Sequence, residues 1–208
     1  MCNALKLGLC PSKSPLLPRL LPLFGDRIAE SLGGAFSALA PPPYQDLTGA
    51  EWGAIVEGAV HFVSDSSGGL YNTASIFFDS RGLCPSDWHV ATDQDWLEVE
   101  VALGVSVAES VACGARESIA DELKASPPWL PSWQGTDDYG FVLMPDGRRT
   151  NTFGTLLEQG TDAYYWMGDT EGATMHTYRR LMSNSEAIIR DNNGGSPRAG
   201  FSVLCAED

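Results

Sequence analysis

The sequence predicts an α+β fold in which helices come first and an antiparallel sheet follows. Helix-initiating sequences lie in the first half, where Thr48 with Glu51 and Thr92 with Asp95 have the spacing of N-terminal capping boxes. Short strand-like segments separated by turn sequences dominate from residue 140 onward. The chain of 208 residues is 43% hydrophobic and contains six tryptophans, enough for a packed core. We therefore expect one well-packed domain with an extension.

The first 46 residues differ in composition from the rest of the chain. They hold four basic and three acidic residues, whereas the whole chain has a net charge of −14. Five leucines lie between residues 16 and 23, among prolines that prevent one long helix. We expect residues 1–46 to form an arm and residues 47–208 to form the domain. The arm can pack on its own domain or on other subunits, and we predict subunit docking because exposed leucines are unfavourable.

Several helices are expected in the first half of the domain. One should run from about Ala50 to Val60, with Trp52 and Ile55 on its apolar face. Leu70 to Phe78 shows no clear period and predicts a short helix or an irregular segment. The helix after Thr92 should stop at Gly104. Composition also favours helix from Val105 to Ala125, interrupted near Gly114.

The predicted strands lie mainly in the second half. They are Trp88 to Val90, Gly140 to Met144, Tyr164 to Met167, Thr174 to Met182, Ala187 to Arg190 and Gly200 to Cys205. The oxygen-rich sequence from Asp191 to Gly195 could offer calcium ligands, but it is also an ordinary turn sequence, and we predict the turn.

Eight short motifs occur in an order typical of one known family. They are Gly69-Leu-Tyr-Asn72, Cys84-Pro-Ser-Asp-Trp-His-Val90, Thr92-Asp93 with Trp96, Glu122-Leu-Lys124 with Trp129, Gly135-Thr-Asp-Asp-Tyr-Gly-Phe141, Leu143-Met-Pro145, Tyr165-Trp166 with Thr170-Glu171, and Gly200-Phe-Ser-Val-Leu-Cys205. Over about residues 69–208 the chain resembles the Fibrobacter succinogenes major paralogous domain, a bacterial module related to C-type-lectin-like folds. The resemblance implies a C-type-lectin-like domain with two or more helices and a twisted antiparallel sheet, preceded by the arm. Its first strand is not evident, since that place holds a helix-like stretch and Val60-His-Phe-Val63.

Five cysteines are present, and none forms a C-x-x-C pair or has a histidine at metal-ligand spacing. We therefore expect no metal and no cofactor. The resemblance implies that Cys84 and Cys205 form a structural disulfide, although both would be buried thiols in a reducing compartment. Closing a loop of about 120 residues would stabilise the fold by roughly 4–5 kcal/mol in the chain-entropy model.

The resemblance also directs attention to the late part of the chain, where C-type-lectin-like proteins commonly build their ligand face. The candidate ligand-binding residues are Tyr164, Tyr165, His176, Arg179 and Arg180. Large aromatic side chains and arginine dominate binding hot spots, whereas Trp166 and Tyr178 are expected in the core. We predict a non-catalytic recognition or display module that binds a protein or a glycan. The motifs of calcium-dependent sugar binding, Glu-Pro-Asn and Trp-Asn-Asp, do not occur.

The sequence does not predict an enzyme, because it shows no paired nucleophile and base, no metal cluster and no phosphate loop. His89 is expected to make a structural hydrogen bond. Asp169 and Glu171 are expected in acidic surface loops and not as a glycosidase pair. One enzymatic alternative comes from the related formylglycine-generating enzymes, which need an active-site cysteine pair, and Cys113 leaves that alternative open.

Charge and hydropathy exclude two classes of partner. A net charge of −14 repels phosphate backbones, so we expect no nucleic acid. No segment reaches the ~18 apolar residues that span a membrane, and the apolar run of residues 15–24 is a poor signal peptide because prolines and Arg19 interrupt it. We expect an extracellular, cell-surface or virion-surface location. The alternative function is a structural part of a large assembly, such as a virion decoration, fibre or tail protein anchored by residues 1–46.

Overall fold

The computed structural model shows a mixed α+β domain built mostly of strands, with a few short helices. It describes residues 44–45, 47–64, 68–78, 82–116, 119–127, 130–170 and 176–208. All of the predicted arm except Tyr44 and Gln45 lies outside the described residues. Within these ranges no sheet closes into a barrel and no helix is long and apolar enough to cross a membrane. The α+β prediction is confirmed.

The helices begin at side-chain caps that the sequence largely reveals. The helices are α1 (Gly49–Ala54), α2 (Thr73–Phe77), α3 (Asp93–Ala102), α4 (Val107–Ser110) and α5 (Ala120–Leu123). Both predicted capping boxes are present, at Thr48 with Glu51 and at Thr92 with Asp95. Each satisfies backbone donors that the first helical turn leaves without partners. A further capping box, made by Ser106 and Glu109, opens α4 and was not recognised in the sequence.

The described strands form four sheets, and the largest carries the candidate ligand-binding residues. The strands are β1 (Tyr44–Gln45), β2 (Ala59–Ser64), β3 (Gly68–Tyr71), β4 (Trp88–Val90), β5 (Gly114–Arg116), β6 (Arg148–Arg149), β7 (Leu156–Leu157), β8 (Asp162–Thr170), β9 (His176–Met182), β10 (Ile188–Gly195) and β11 (Cys205–Glu207). The largest sheet is antiparallel with the order β5-β10-β9-β8. The smaller sheets have the orders β1-β2-β3, β11-β4 and β6-β7.

Two predicted helices are shorter than expected because part of each predicted segment forms a strand that pairs in a sheet. Helix α1 ends at Ala54, since the segment up to Ser64 pairs with β3. Among the described residues from Val105 to Ala125, only α4 and α5 are helical. Gly114 lies between them with a φ of +103° and starts β5, which pairs with β10. Left-handed backbone is accessible to glycine at little cost, so the chain turns there and does not continue as a helix.

Three further predictions in the second half are wrong. The predicted strand from Gly200 to Cys205 is not continuous, because its first three residues make only isolated bridges and β11 begins at Cys205. Gly140 to Met144 is not a regular strand, because Val142 has a φ of +52° and Leu143 makes only an isolated bridge to Lys124. The predicted turn from Asp191 to Gly195 is the end of β10, which continues through an irregularity in its pairing with β9. Asp191 remains paired there and accepts a hydrogen bond from Tyr178 Oη at 2.9 Å.

A disulfide joins Cys84 to Cys205, with Cα atoms 5.7 Å apart and a sequence separation of 121 positions. It confirms the pairing that the resemblance implied, and it ties the segment before β4 to the first residue of β11. Cys113 is disulfide-bonded as well. His89 lies in β4, where its two ring nitrogens bind Asp208 Oδ1 at 2.6 Å and Asp95 Oδ2 at 3.0 Å. The structural role expected for this histidine is therefore confirmed.

Two hydrophobic clusters pack on opposite faces of the largest sheet. Since side chains alternate along a strand, Tyr165 and Leu181 enter the first cluster, against helix α3. Tyr164 and Trp166 enter the second cluster, with Phe201. Both Trp166 and Tyr178 were expected in the core. Trp166 is fully buried, and Tyr178 is half-buried against this second cluster.

Candidate functional site

The five candidate ligand-binding residues do not form one surface, because they alternate between the two faces of the β8–β9 pair. Tyr164 is opposite Arg180 in the strand register, and Tyr165 is opposite Arg179. The first pair lies on the face of the second hydrophobic cluster, and the second pair lies on the face of α3. Tyr164, Tyr165, His176 and Arg179 are all buried, with exposed fractions of 8% or less. Of the five, only Arg180 is substantially exposed.

Arg179 belongs to a buried ion network and is not a surface residue. Its Nε donates to Glu100 Oε1 at 2.8 Å and its Nη1 donates to Asp93 Oδ1 at 2.6 Å. Both Arg179 and Glu100 have no exposed side-chain surface. A charge this far from water is stable only when paired and hydrogen-bonded. Arg179 therefore holds α3 against the sheet.

Two further arginines complete this network. Arg116 Nε lies 2.7 Å from Glu100 Oε2, and Arg190 forms an ion pair with Asp93 Oδ2 at 2.5 Å. Burial lowers the pKa of Arg116 to about 10, partly opposed by Glu100, so Arg116 remains charged at neutral pH. Burial raises the pKa of Asp93, but Arg190 and Arg179 outweigh that effect and hold it below its ordinary value. The buried network thus contains three guanidinium groups, of Arg116, Arg179 and Arg190, paired with the two carboxylates of Asp93 and Glu100.

His176 also has a packing role. It is 8% exposed, and its ring stacks on Phe77 with centroids 5.2 Å apart. The His176 and Trp166 rings pack edge to face, with ring centroids 6.0 Å apart. Burial lowers the pKa of His176, so the neutral ring is favoured in this aromatic setting.

The remaining candidates, Tyr164 and Arg180, lie in a half-exposed group that we call the Tyr164 cluster. It consists of Arg148, Glu158, Asp162, Tyr164, Tyr178, Arg180 and Asp191. The guanidiniums of Arg148 and Arg180 lie 5.5 and 5.3 Å from the Tyr164 ring centroid. Such distances are within the range of cation–π attraction. The tyrosine ring therefore fixes the spacing of two positive groups at the surface.

Carboxylates fix the direction of both guanidiniums. Arg148 Nε donates to Glu158 Oε2 at 2.7 Å, and Tyr164 Oη donates to the same oxygen at 2.7 Å. Arg180 Nη2 lies 2.6 Å from Asp162 Oδ1. About a third of the Arg148, Arg180 and Glu158 side chains remains exposed, at 37%, 32% and 30%. The cluster is thus rigid and partly open to solvent.

The pKa values of Tyr164, Tyr178 and Glu158 are shifted by their surroundings in the Tyr164 cluster. Burial and the hydrogen bond to Glu158 raise the pKa of Tyr164, and burial with Asp191 raises the pKa of Tyr178 to about 12. Burial would raise the pKa of Glu158, but hydrogen bonds from Tyr164 and Arg148 lower it overall. Both phenols are therefore neutral donors, and Glu158 is ionised.

Sequence reasoning missed most partners of these residues. Arg148 and Glu158 follow each other closely in sequence, but nothing in their spacing indicated an ion pair. Asp169 was expected in an acidic surface loop, but it lies in β8 and accepts a hydrogen bond from the Asp93 amide at 2.7 Å. Its neighbour Glu171 lies outside the described residues. Within the described part of the chain, no group of three or more His, Cys, Asp or Glu residues could hold a metal ion.

The fold and the site together define a disulfide-linked α+β domain whose late strands carry an arginine–tyrosine surface. The family model for the Fibrobacter succinogenes major domain matches residues 45–206. The chain belongs to this family, which confirms the resemblance seen in its motifs. Comparisons with curated proteins and with solved structures found no significant match.

Proposed function

We propose that this protein is a non-catalytic recognition or display module that binds a protein or a glycan through the Tyr164 cluster. The observation that carries the proposal is the pair of arginines, each about one third exposed, that lie within 5.5 Å of one tyrosine ring centroid and are each oriented by a carboxylate. Arginine and tyrosine are the residue types most enriched in binding hot spots. Because the guanidiniums are already held in place, a ligand would lose little side-chain entropy by ordering them.

The protonation states support binding over catalysis at this cluster. A general base needs a pKa near the working pH, and the pKa of Glu158 is lowered. The phenols have raised pKa values, so neither is a nucleophile at neutral pH. Hydrogen bonding to a ligand is the chemistry that these groups offer.

The proposal extends to fold and location. A C-type-lectin-like fold is supported by the antiparallel sheet and by the disulfide that joins the region before β4 to β11. Disulfides persist in oxidising surroundings, which supports an extracellular or surface location. An experimental structure whose strand topology differed from that of C-type lectins would contradict the fold proposal.

Binding can be tested with the fluorescently labelled full chain on an array of defined glycans and on a display library of folded proteins and peptides. We expect saturable binding that weakens about tenfold or more when Arg148 or Arg180 is replaced by alanine, since truncated hot-spot residues typically lose 1–2 kcal/mol or more. The control is Gln94→Ala, which removes an exposed polar side chain of α3 outside the cluster and away from Arg198. Unchanged binding in both cluster variants, or no binding by the wild type, would contradict the proposal.

A structural role in a larger assembly is the second candidate. The leucine-rich arm favours it, as do three exposed apolar side chains, Val56, Phe78 and Phe153, with exposed fractions of 71%, 83% and 75%. Light scattering after size-exclusion chromatography should show an oligomer for the full chain and a monomer for a chain that starts at Tyr44, which keeps β1. Monomers in both cases would exclude self-assembly through the arm.

A further inference from the structure

A cavity of about 260 Å³ lies on the surface beside helix α1 and shares no lining residue with the Tyr164 cluster. It is lined by Gly53, Asn151, Thr152, Ser196, Pro197 and Arg198. Pockets for drug-sized ligands usually exceed about 300 Å³, so this cavity suits a smaller group. An amide, two hydroxyls and one guanidinium offer both donors and acceptors to such a group.

The walls of the cavity are built before any ligand arrives. A side chain at Gly53 would place its Cβ 2.1 Å from the Thr152 carbonyl oxygen, so α1 and the 151–152 segment are in direct backbone contact. The buried Trp52 ring donates from Nε1 to the Arg198 carbonyl at 2.7 Å. Both the amide and the hydroxyl of Thr73 donate to the Pro197 carbonyl at 3.1 Å. These bonds hold both sides of the cavity in place.

Arg198 stands out from the other cationic side chains. Six of the eight described Lys and Arg residues form an ion pair with a carboxylate. Arg198 forms none within the described part of the chain, and its one hydrogen bond there runs from Nη1 to the Gly53 carbonyl at 3.0 Å. The Arg198 guanidinium has further N–H donors, and the planar arrangement of such donors fits the two oxygens of a carboxylate.

The surroundings of Arg198 favour an anion despite the acidity of the protein. The other residues that line the cavity are uncharged. Among the described residues that line the cavity, Arg198 therefore carries the only charge, and that charge is positive.

From these observations we propose that the cavity binds one acidic sugar residue, such as a uronic acid. Its carboxylate would pair with Arg198, and its ring hydroxyls would bond to Asn151, Thr152 and Ser196. A neutral sugar would leave the guanidinium without its anion. This site is independent of the Tyr164 cluster, so either proposal can fail while the other stands.

The test is a ligand-observed NMR titration of the full chain with methyl β-D-glucuronide and with methyl β-D-glucoside, which has the same ring without the carboxylate. We expect the glucuronide to bind at least about tenfold more tightly than the glucoside, as a charge-assisted hydrogen bond provides. Arg198→Gln should remove that preference, and Asn151→Ala should weaken both sugars. The control, Gln94→Ala, changes an exposed residue of α3 that lies outside both the cavity and the Tyr164 cluster, and it should leave both affinities unchanged.

Three outcomes would overturn the proposal. One is that the glucuronide does not bind or binds no better than the glucoside. Another is that Arg198→Gln, with an unfolding midpoint equal to that of the wild type, keeps the preference. The last is that a short peptide with a free C-terminal carboxylate binds more tightly than the glucuronide and depends on Arg198, which would make the ligand a peptide end.

Discussion

Replacing Glu100 by glutamine should destabilise the domain by about 3–5 kcal/mol, the usual effect of removing one partner from a buried ion pair. Both Glu100 oxygens are used, at 2.8 Å from Arg179 Nε and 2.7 Å from Arg116 Nε. Glutamine has nearly the same shape, but it has one acceptor oxygen and no charge. Three buried guanidiniums would then be left with Asp93 as their only carboxylate in the network.

Urea unfolding followed by tryptophan fluorescence measures this loss. For a slope of roughly 2 kcal/mol per M, the midpoint should fall by about 1.5–2.5 M. That is a large share of the about 5–15 kcal/mol that stabilises a typical domain. The matched control is Glu98→Gln in the same helix, where the half-buried Glu98 accepts from Gln94 at 3.0 Å and meets no arginine among the described residues.

The control should change stability by no more than about 0.5 kcal/mol, as for most surface substitutions. Equal midpoints for Glu98→Gln and Glu100→Gln would refute the reasoning, because the two substitutions differ mainly in the charge pairing of the residue removed. Such a result would mean that water or rearrangement compensates the arginines in the interior.

Three other substitutions test the ties between elements. Burial lowers the pKa of His89, but hydrogen bonds to Asp208 and Asp95 outweigh burial and raise the pKa overall. The stabilisation of the domain by protonated His89 is therefore complete below about pH 6.5 and is lost as the pH rises through the pKa of His89 in the folded state. His89→Gln should flatten this part of the curve of stability against pH. Because the pKa of Asp93 is lowered, ionised Asp93 stabilises the domain fully above about pH 4, and this stabilisation is lost as the pH falls through the pKa of Asp93 in the folded state. Asp93→Asn should destabilise the domain at pH 7 and flatten the acid limb, the fall in stability at low pH. Replacing both Cys84 and Cys205 by serine should lower stability by about 4–5 kcal/mol for a loop of 121 residues.

Urea midpoints measured from pH 3 to pH 9 check the first two of these predictions, and midpoints at pH 7 check the third. The buried His176 titrates in the opposite sense to His89, so each variant must be compared with the wild type at every pH. A wild-type minus His89→Gln difference that does not change above pH 6.5 would contradict the first prediction. An Asp93→Asn acid limb as steep as that of the wild type would contradict the second. A serine double variant as stable as the wild type would contradict the third.

Local features of the fold were predictable from sequence, and long-range ones were not. The capping boxes at Thr48 and Thr92 depend on residues three positions apart, so their pattern is visible in the sequence. The end of α1 depends on the pairing between β2 and β3. This pairing cannot be predicted from a local sequence pattern. For the same reason the sequence predicts helix on both sides of an interruption near Gly114, although Gly114–Arg116 pairs with β10 some 70 residues later.

The candidate site illustrates the same limit. Arg179 and Arg180 are adjacent and look equivalent in sequence, yet one is fully buried and the other is half-exposed. Strand alternation separates them, and the partner that makes burial possible, Glu100, lies 79 residues away. Residue type therefore indicated a functional surface, and only the register of β8 and β9 showed which of its members reach solvent.

The position of β11 has a consequence for how the domain is made. Its partner β4 lies more than 110 residues earlier, and Phe201, Val203 and Leu204 enter the two hydrophobic clusters from the same late segment. A nascent chain that has emerged only as far as β10 would have both clusters incomplete and Cys84 without Cys205. Since long-range contacts slow folding and leave apolar surface exposed meanwhile, we expect the domain to fold only after residue 207 has left the ribosome or the export channel. Chaperone dependence during synthesis should therefore follow from this one late strand.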